Sequence, residues 1–212
     1  MTSSTEPPLD GRTRRRIETR RRLVASARGL FADEGIDAVR INEITEAAGV
    51  GFGSFYNHFE SKDAIVAAVV EEVATELGQA IERATADLDD PAEVVAVAHR
   101  TIVERCAHDH PLGWLLVRLD VTHDIALQAL APFAARDLDR GVAAGRFVVD
   151  HPASVLIASG GALLAVVRAV LRSADAVDAG EVASRHAALM LVLFGVPAAE
   201  ADAIARRPLP SA

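Results

Sequence analysis

The chain is poor in groups that cross-link, coordinate or react. It has one cysteine, Cys106, which excludes an internal disulfide and suits a reducing compartment such as the cytoplasm. Aromatic residues make up only 4%, and alternating β-branched and aromatic runs bounded by turn residues are scarce, which argues against a sheet. An uncharged run, Ala153 to Val167, holds 15 residues, short of the ~20 that cross a bilayer, so a soluble protein without a membrane partner is expected. The first residues, MTSSTEPPLDGRTRRR, contain no apolar stretch that would read as a secretory signal. No Gly-rich phosphate loop, nucleophile motif or spaced carboxylate or Cys/His cluster is visible, so neither an enzyme nor a cofactor is expected. His108, His110 and His123 come nearest to a metal set, but no cysteine or carboxylate completes a tetrahedron. Lysine is almost missing: Lys62 stands alone beside 21 arginines.

What is present points to helices. Half of the 212 residues are hydrophobic, with Ala, Val and Leu frequent, which favours an all-α chain of one or two domains burying roughly 70% of its unfolded surface. Charge is divided unevenly. Residues 12 to 28 carry eight arginines and one acid, Glu18, while residues 63 to 212 carry 12 basic and 21 acidic side chains. An acidic body with a basic arm approaches a polyanion in one orientation.

The run Ile41 to Lys62, INEITEAAGVGFGSFYNHFESK, reads as two short helices around a tight turn. A first helix is expected from Arg20 to Gly35, with Leu23, Ala27, Leu30 and Phe31 on one face. A second is expected from Ile41 to Ala48, with Ile44 and Ala47/Ala48 inward and Gly49 supplying a positive φ. A third spans about Phe52 to Phe59, where Phe55 and Phe59, four apart, face the shared core. That leaves Phe52, Gly53, Ser54, Tyr56, Asn57 and His58 outside, on a helix short enough to enter a major groove end-on. Ser54 and Asn57 suit base edges or phosphate, and Phe52 a thymine methyl. Tyr56, His58 and Lys62 suit the backbone; Arg40, Asn42, Thr45 and Gly51 complete the expected DNA-contact set.

From Leu30-Phe31 and Gly35, through Ile44, Ala47-Ala48-Gly49-Val50, Gly53, Phe55-Tyr56 and His58-Phe59, to Ser61-Lys62, the chain resembles the N-terminal domain of TetR-type bacterial transcriptional regulators over residues 18 to 76. The resemblance implies an operator-binding homodimer whose remaining helices bind a small-molecule ligand and dimerise, most often as a repressor that the ligand releases. The expected organisation is a disordered basic arm over 1–17, a helix-turn-helix domain over 18–76 with the motif at about 41–60, and a helical ligand-binding and dimerisation domain over 77–207. Three positions depart from the family pattern. Arg40 stands where Ser or Thr often caps the second helix, and Gly51-Phe52 where Ser-Lys or Ser-Arg is common, so caps and a cation are lost. The upstream arginines are expected to supply the missing charge.

Beyond Lys62 the reading rests on periodicity. A long helix over 63–86 carries Ile65, Val69, Val73, Leu77 and Ile81 along one stripe, and Pro91 opens another to about Ala107. His110-Pro111 marks a break, a further helix runs from about His123 to Ala144, and two apolar helices follow over 153–172 and 182–194. The final pair is the expected dimer interface, with Gly160-Gly161 permitting close approach. Polar residues within apolar helices are the ligand candidates: His99, Trp114, Arg118, Asp120, His123, Gln128 and Arg168.

Overall fold

The computed structural model describes residues 10–123, 125–173 and 176–210, apart from the side chains of 120–128. Among them are ten α-helices and no strand, as the composition implies. In chain order they are α1 (Gly11–Glu34), α2 (Ile41–Ala47), α3 (Phe52–Phe55), α4 (Lys62–Thr85), α5 (Pro91–His108), α6 (His110–His123), α7 (Ile125–Ala143), α8 (Pro152–Ser173), α9 (Ala179–Leu193) and α10 (Ala198–Ala205). The residues divide into two compact units within α4, between Val69 and Val70, earlier than the boundary expected at 76.

In the first unit, Leu23, Phe31, Ile44, Phe55 and Ile65 have no exposed surface, and Ala27, Ile36, Val39 and Phe59 complete the core. Each large apolar side chain so buried contributes about 1.5–3 kcal/mol. The expected arm is partly wrong: residues 1–9 lie outside the described residues, but 11–17 are helical and continuous with α1. Asp10 explains the early start, because its carboxylate accepts the Thr13 N–H at 2.6 Å and arginine has high helix propensity.

In the second unit, α5, α9 and α10 meet around Ala92, Val95, Ala96, Ala187, Leu191, Ala201 and Ile204, with Leu138, Phe147 and Phe194 in the same cluster. Periodicity placed no helix after Pro197, yet α10 forms there and buries Ala201, Ile204 and Ala205, an i, i+3, i+4 set too short to stand out. Asp90 caps α5 by accepting the Ala92 N–H, and Arg146 grips its carboxylate at 2.9 and 3.2 Å while reaching Glu200 at 2.8 Å.

Helix α8 corrects the count of uncharged residues. It runs for 22 residues, past Arg168, with a window of mean hydropathy 2.0, so by length and composition it could cross a membrane; a third of that window is buried. Much of its remainder is exposed apolar surface, including Ile157 at 71%.

Gly141 near the end of α7 admits the Phe147 ring. An added Cβ would lie 1.9 Å from that ring, and the N–H groups of Arg146 and Phe147 both donate to the Gly141 carbonyl. Phe147 is itself buried, so it has nowhere to move. Gly141→Ala is therefore expected to destabilise the chain by at least about 1–3 kcal/mol, read from its urea midpoint. An unchanged midpoint would refute this packing.

Candidate nucleic-acid interface and ligand cavity

The first unit's motif begins without the usual cap. Arg40 is extended and its side chain has no acceptor, but Glu43 accepts the Arg40 N–H at 2.6 Å, which is half of a capping box. That carboxylate also sits in the positive first turn of α2. The turn after α2 is held by Gly49 at φ 62° and by Arg22 of α1, whose guanidinium donates to the carbonyls of Ala48 and Gly49. Arg22 reaches the Gly49 carbonyl at 3.0 Å, and its Nη2 would lie 2.9 Å from a Cβ at that position. The positive φ favours glycine there, and the end of the Arg22 side chain packs close above it.

Helix α3 is shorter than expected, Phe52–Phe55 rather than Phe52 to Phe59. Beyond it the chain tightens: His58 N–H donates to Phe55 O, three residues back, at 2.9 Å, and Asn57 N–H to Ser54 O at 3.2 Å. This winding still buries both Phe55 and Phe59, whose rings lie 5.7 Å apart.

Phe52 and Tyr56 are exposed at 54% and 53%, with rings 5.7 Å apart edge to face, an apolar pair presented outward. Arg40, Asn42, Gly51, Gly53 and Asn57 are also exposed, while Ser54, His58 and Lys62 are half-buried. Thr45 departs from expectation. It is buried, and its hydroxyl donates to the Asn42 carbonyl at 2.9 Å, so it braces α2 rather than facing outward. Ala47, expected inward, is exposed, and Ala48 alone fills that place. Ser61 Oγ accepts the Ala64 N–H and so caps α4, which starts at Lys62.

Two of the upstream arginines, expected only as general charge, have defined places beside this motif. Arg20 lies over the Phe59 ring at 5.0 Å. The His58 imidazole is held below its usual pKa by burial and then by the positive charges of Arg16 and Arg20. Both arginines therefore stand beside the turn that follows α3. Their four-residue spacing was the available signal, but it became informative only once 11–19 proved helical.

The second unit holds a partly open cavity of about 280 Å³ between α4, α5, α7 and α8. Ile102, Leu130, Phe133 and Leu163 supply apolar wall, and His99, Ser159, Asp137 and Arg136 supply polar groups. Among the candidate ligand residues whose side chains are described, His99 alone lines it. Trp114 and Arg118 instead stack on each other, 5.5 Å from guanidinium to ring, and Arg168 is exposed on α8; none of the three lines the cavity. The side chains of Asp120, His123 and Gln128 lie outside the described residues. Asp137 was missed; its signal was a carboxylate on an otherwise apolar stripe of α7, and it is 9% exposed.

His99 belongs to a polar chain joining three helices. Its Nδ1 is 3.0 Å from Nε2 of His186 on α9, and its Nε2 is 3.3 Å from Oγ of Ser159 on α8. Two proton arrangements satisfy every link. Either Ser159 donates to His99 and His99 to His186, or His186 donates to His99 and His99 to Ser159. Burial drives His99 down to about 3, with repulsion from His186 adding to it, and drives His186 down to about 4. Both rings are neutral near pH 7. Cys106 is equally inert, its thiol pushed up to about 12 by burial. No cluster of three His, Cys, Asp or Glu occurs among the described residues.

Comparison with known proteins covers both units. Residues 23–69 match the family described as bacterial regulatory proteins, tetR family, and residues 90–207 match the tetracyclin repressor-like C-terminal domain. The chain is 35% identical over 97 residues to the transcriptional repressor KstR2 of Rhodococcus jostii, 44% of this chain and 46% of that one. It is 37% identical over 76 residues to the repressor DhaR of a Mycobacterium species, 36% of this chain and 38% of that one; it thus spans under half the length of either. Among solved structures it is similar to RolR in complex with resorcinol, with 38% identity, a TM-score of 0.75, and coverage of 94% of this chain and 98% of that one.

The buried imidazoles make stability depend on pH. Their pKa values are lowered on folding, so below about 6.5 the unfolded chain binds more protons, and stability falls with pH until about 4. The slope from each imidazole approaches ~1.4 kcal/mol per pH unit. Urea midpoints measured from pH 7.5 to 5 are expected to drop, and His186→Gln to remove roughly half of this dependence. A variant as acid-sensitive as the wild type would contradict the assignment.

Proposed function

The chain belongs to the tetR family of bacterial regulatory proteins, and from that membership we propose that it is a homodimeric, operator-binding repressor released by a small ligand held in the second unit. The observation that carries the reading is the combination of a helix-turn-helix with outward Phe52 and Tyr56 and a separate apolar cavity containing a few buried polar groups.

On DNA, the exposed end of α3 enters the major groove. Phe52 meets thymine methyls or a sugar, Asn57 and Ser54 meet base edges or phosphate, and Tyr56, His58, Lys62, Arg40 and Asn42 hold the backbone. Gly51 and Gly53 let the main chain come close. Thr45 acts only indirectly, by fixing α2 from within.

The ligand is a small hydroxylated aromatic compound. About 280 Å³ lies at the low end for ligand sites, Phe133 offers a ring face, and Asp137 is an acceptor for a phenolic O–H. The Ser159–His99–His186 chain takes either proton arrangement, so it can donate to or accept from a second hydroxyl. The similarity to RolR, solved with resorcinol, supports this class.

Dimerisation uses α8 and α9. Leu189, Val192 and Leu193 are exposed along one side of α9, and Ile157 with Ala158, Gly161 and Ala165 along α8. A two-fold dimer carries two motifs, which matches an operator of two half-sites about 34 Å apart.

Selection of bound duplexes from random DNA is expected to yield an inverted repeat. Asp137→Asn and Ser159→Ala should weaken release by resorcinol or related phenols at least tenfold, leaving operator affinity unchanged. Leu189→Arg should give a monomer in sedimentation and weaken operator binding. Binding without sequence preference, or a dimeric Leu189→Arg protein with full affinity, would overturn the proposal.

A further inference from the structure

We infer that the N-terminal half of α1 is a second DNA-binding element, which lies along operator phosphates beside the recognition helix. This rests on the operator-binding reading above and adds a surface that the helix-turn-helix does not include.

The first residue of α1 to be buried is Leu23; over the helical stretch before it, Thr19 is half-buried and every other side chain is exposed. Three turns of helix thus contribute almost nothing to the core of their own unit. They are nevertheless built, with Asp10 as a side-chain cap. Their charge is extreme: residues 11 to 22 hold seven arginines and one acid, Glu18, which Arg21 engages at 2.8 Å. Arg12, Arg16 and Arg20 are spaced by four, so like charges stack along one face and repel. A short polar helix with no buried face and self-repelling charge gains little from its own packing. A polyanion removes that repulsion.

The position of this face identifies which polyanion. Arg16 and Arg20 are the charges felt by His58, and Arg20 covers the Phe59 ring. The stripe therefore begins at the turn that ends the recognition segment. Arg22 is committed to the carbonyls of Ala48 and Gly49, which fixes the direction of α1 relative to the turn between α2 and α3. From Arg12 to Arg20 the helix rises about 12 Å, the length of roughly three to four base steps at 3.4 Å each. The arginines carry a fixed positive charge and several N–H donors on an exposed helix, which suits phosphate oxygens.

The salt dependence of operator affinity tests this in the full chain. Arg12→Gln/Arg16→Gln should flatten the slope of log K against log salt by about 0.9 for each arginine in each bound protomer, and lower affinity at least tenfold at 0.1 M salt. Arg12→Lys/Arg16→Lys should keep the wild-type slope. A control with the same charge loss in the second unit, Arg83→Gln/Arg140→Gln, should also keep it. A wild-type slope in the Gln variant, or equal flattening in the Lys variant or the control, would overturn the inference. If the wild type itself selected no operator, the operator-binding reading would be what had failed.

Discussion

Arg22 donating to the carbonyls of Ala48 and Gly49 is the contact on which the DNA-reading surface depends. Those carbonyls end α2, where the helix has no further N–H to offer them. Gly49 lets the backbone reverse at φ 62°, and the guanidinium holds the reversal to α1. Phe55 and Phe59 then lock the following segment into the core, so Phe52 and Tyr56 can point only outward. A substitution at this turn would redirect the recognition segment without touching a residue proposed to meet DNA.

In the second unit the governing constraint is buried polarity. An imidazole placed among Ile102, Leu163 and Val95 costs free energy unless its nitrogens are satisfied, and His99 meets that demand through Ser159 and His186. The chain ties α5, α8 and α9 together and leaves an adaptable polar edge in an apolar cavity. Helix α4 gives Ile65 and Val69 to the first core and Gly78 and Ile81 to the cavity wall. It is the covalent element common to both.

Much of this was legible in the residues. The periodicity of Leu23, Ala27 and Phe31, the glycine at 49, and the Phe55–Phe59 spacing gave the motif, and caps such as Asp90 and Asp178 lie close to expected boundaries. Thr45 was misplaced because a hydroxyl on a short helix reads as a contact, whereas its bond to the Asn42 carbonyl lets it be buried. The arm was expected to be disordered because repelling arginines gave no sign of the Asp10 cap. The cavity was the least legible part. His99, Trp114, Arg118 and Arg168 stand out in the sequence, but which of several amphipathic helices face one another depends on long-range packing, and that keeps His99 and adds Asp137 and Ser159 in place of the other three.

Linkage makes the coupling proposed between the cavity and the DNA-binding surface measurable. Moving the repressor from 99% bound to 1% bound requires about 5.5 kcal/mol of discrimination between its two states. Titration of the protein with a releasing phenol, in the absence and presence of saturating selected operator, tests this most directly. Operator is expected to weaken phenol binding by the same factor as phenol weakens operator binding. Phenol affinity unchanged by operator, while phenol still dissociates the complex, would contradict it.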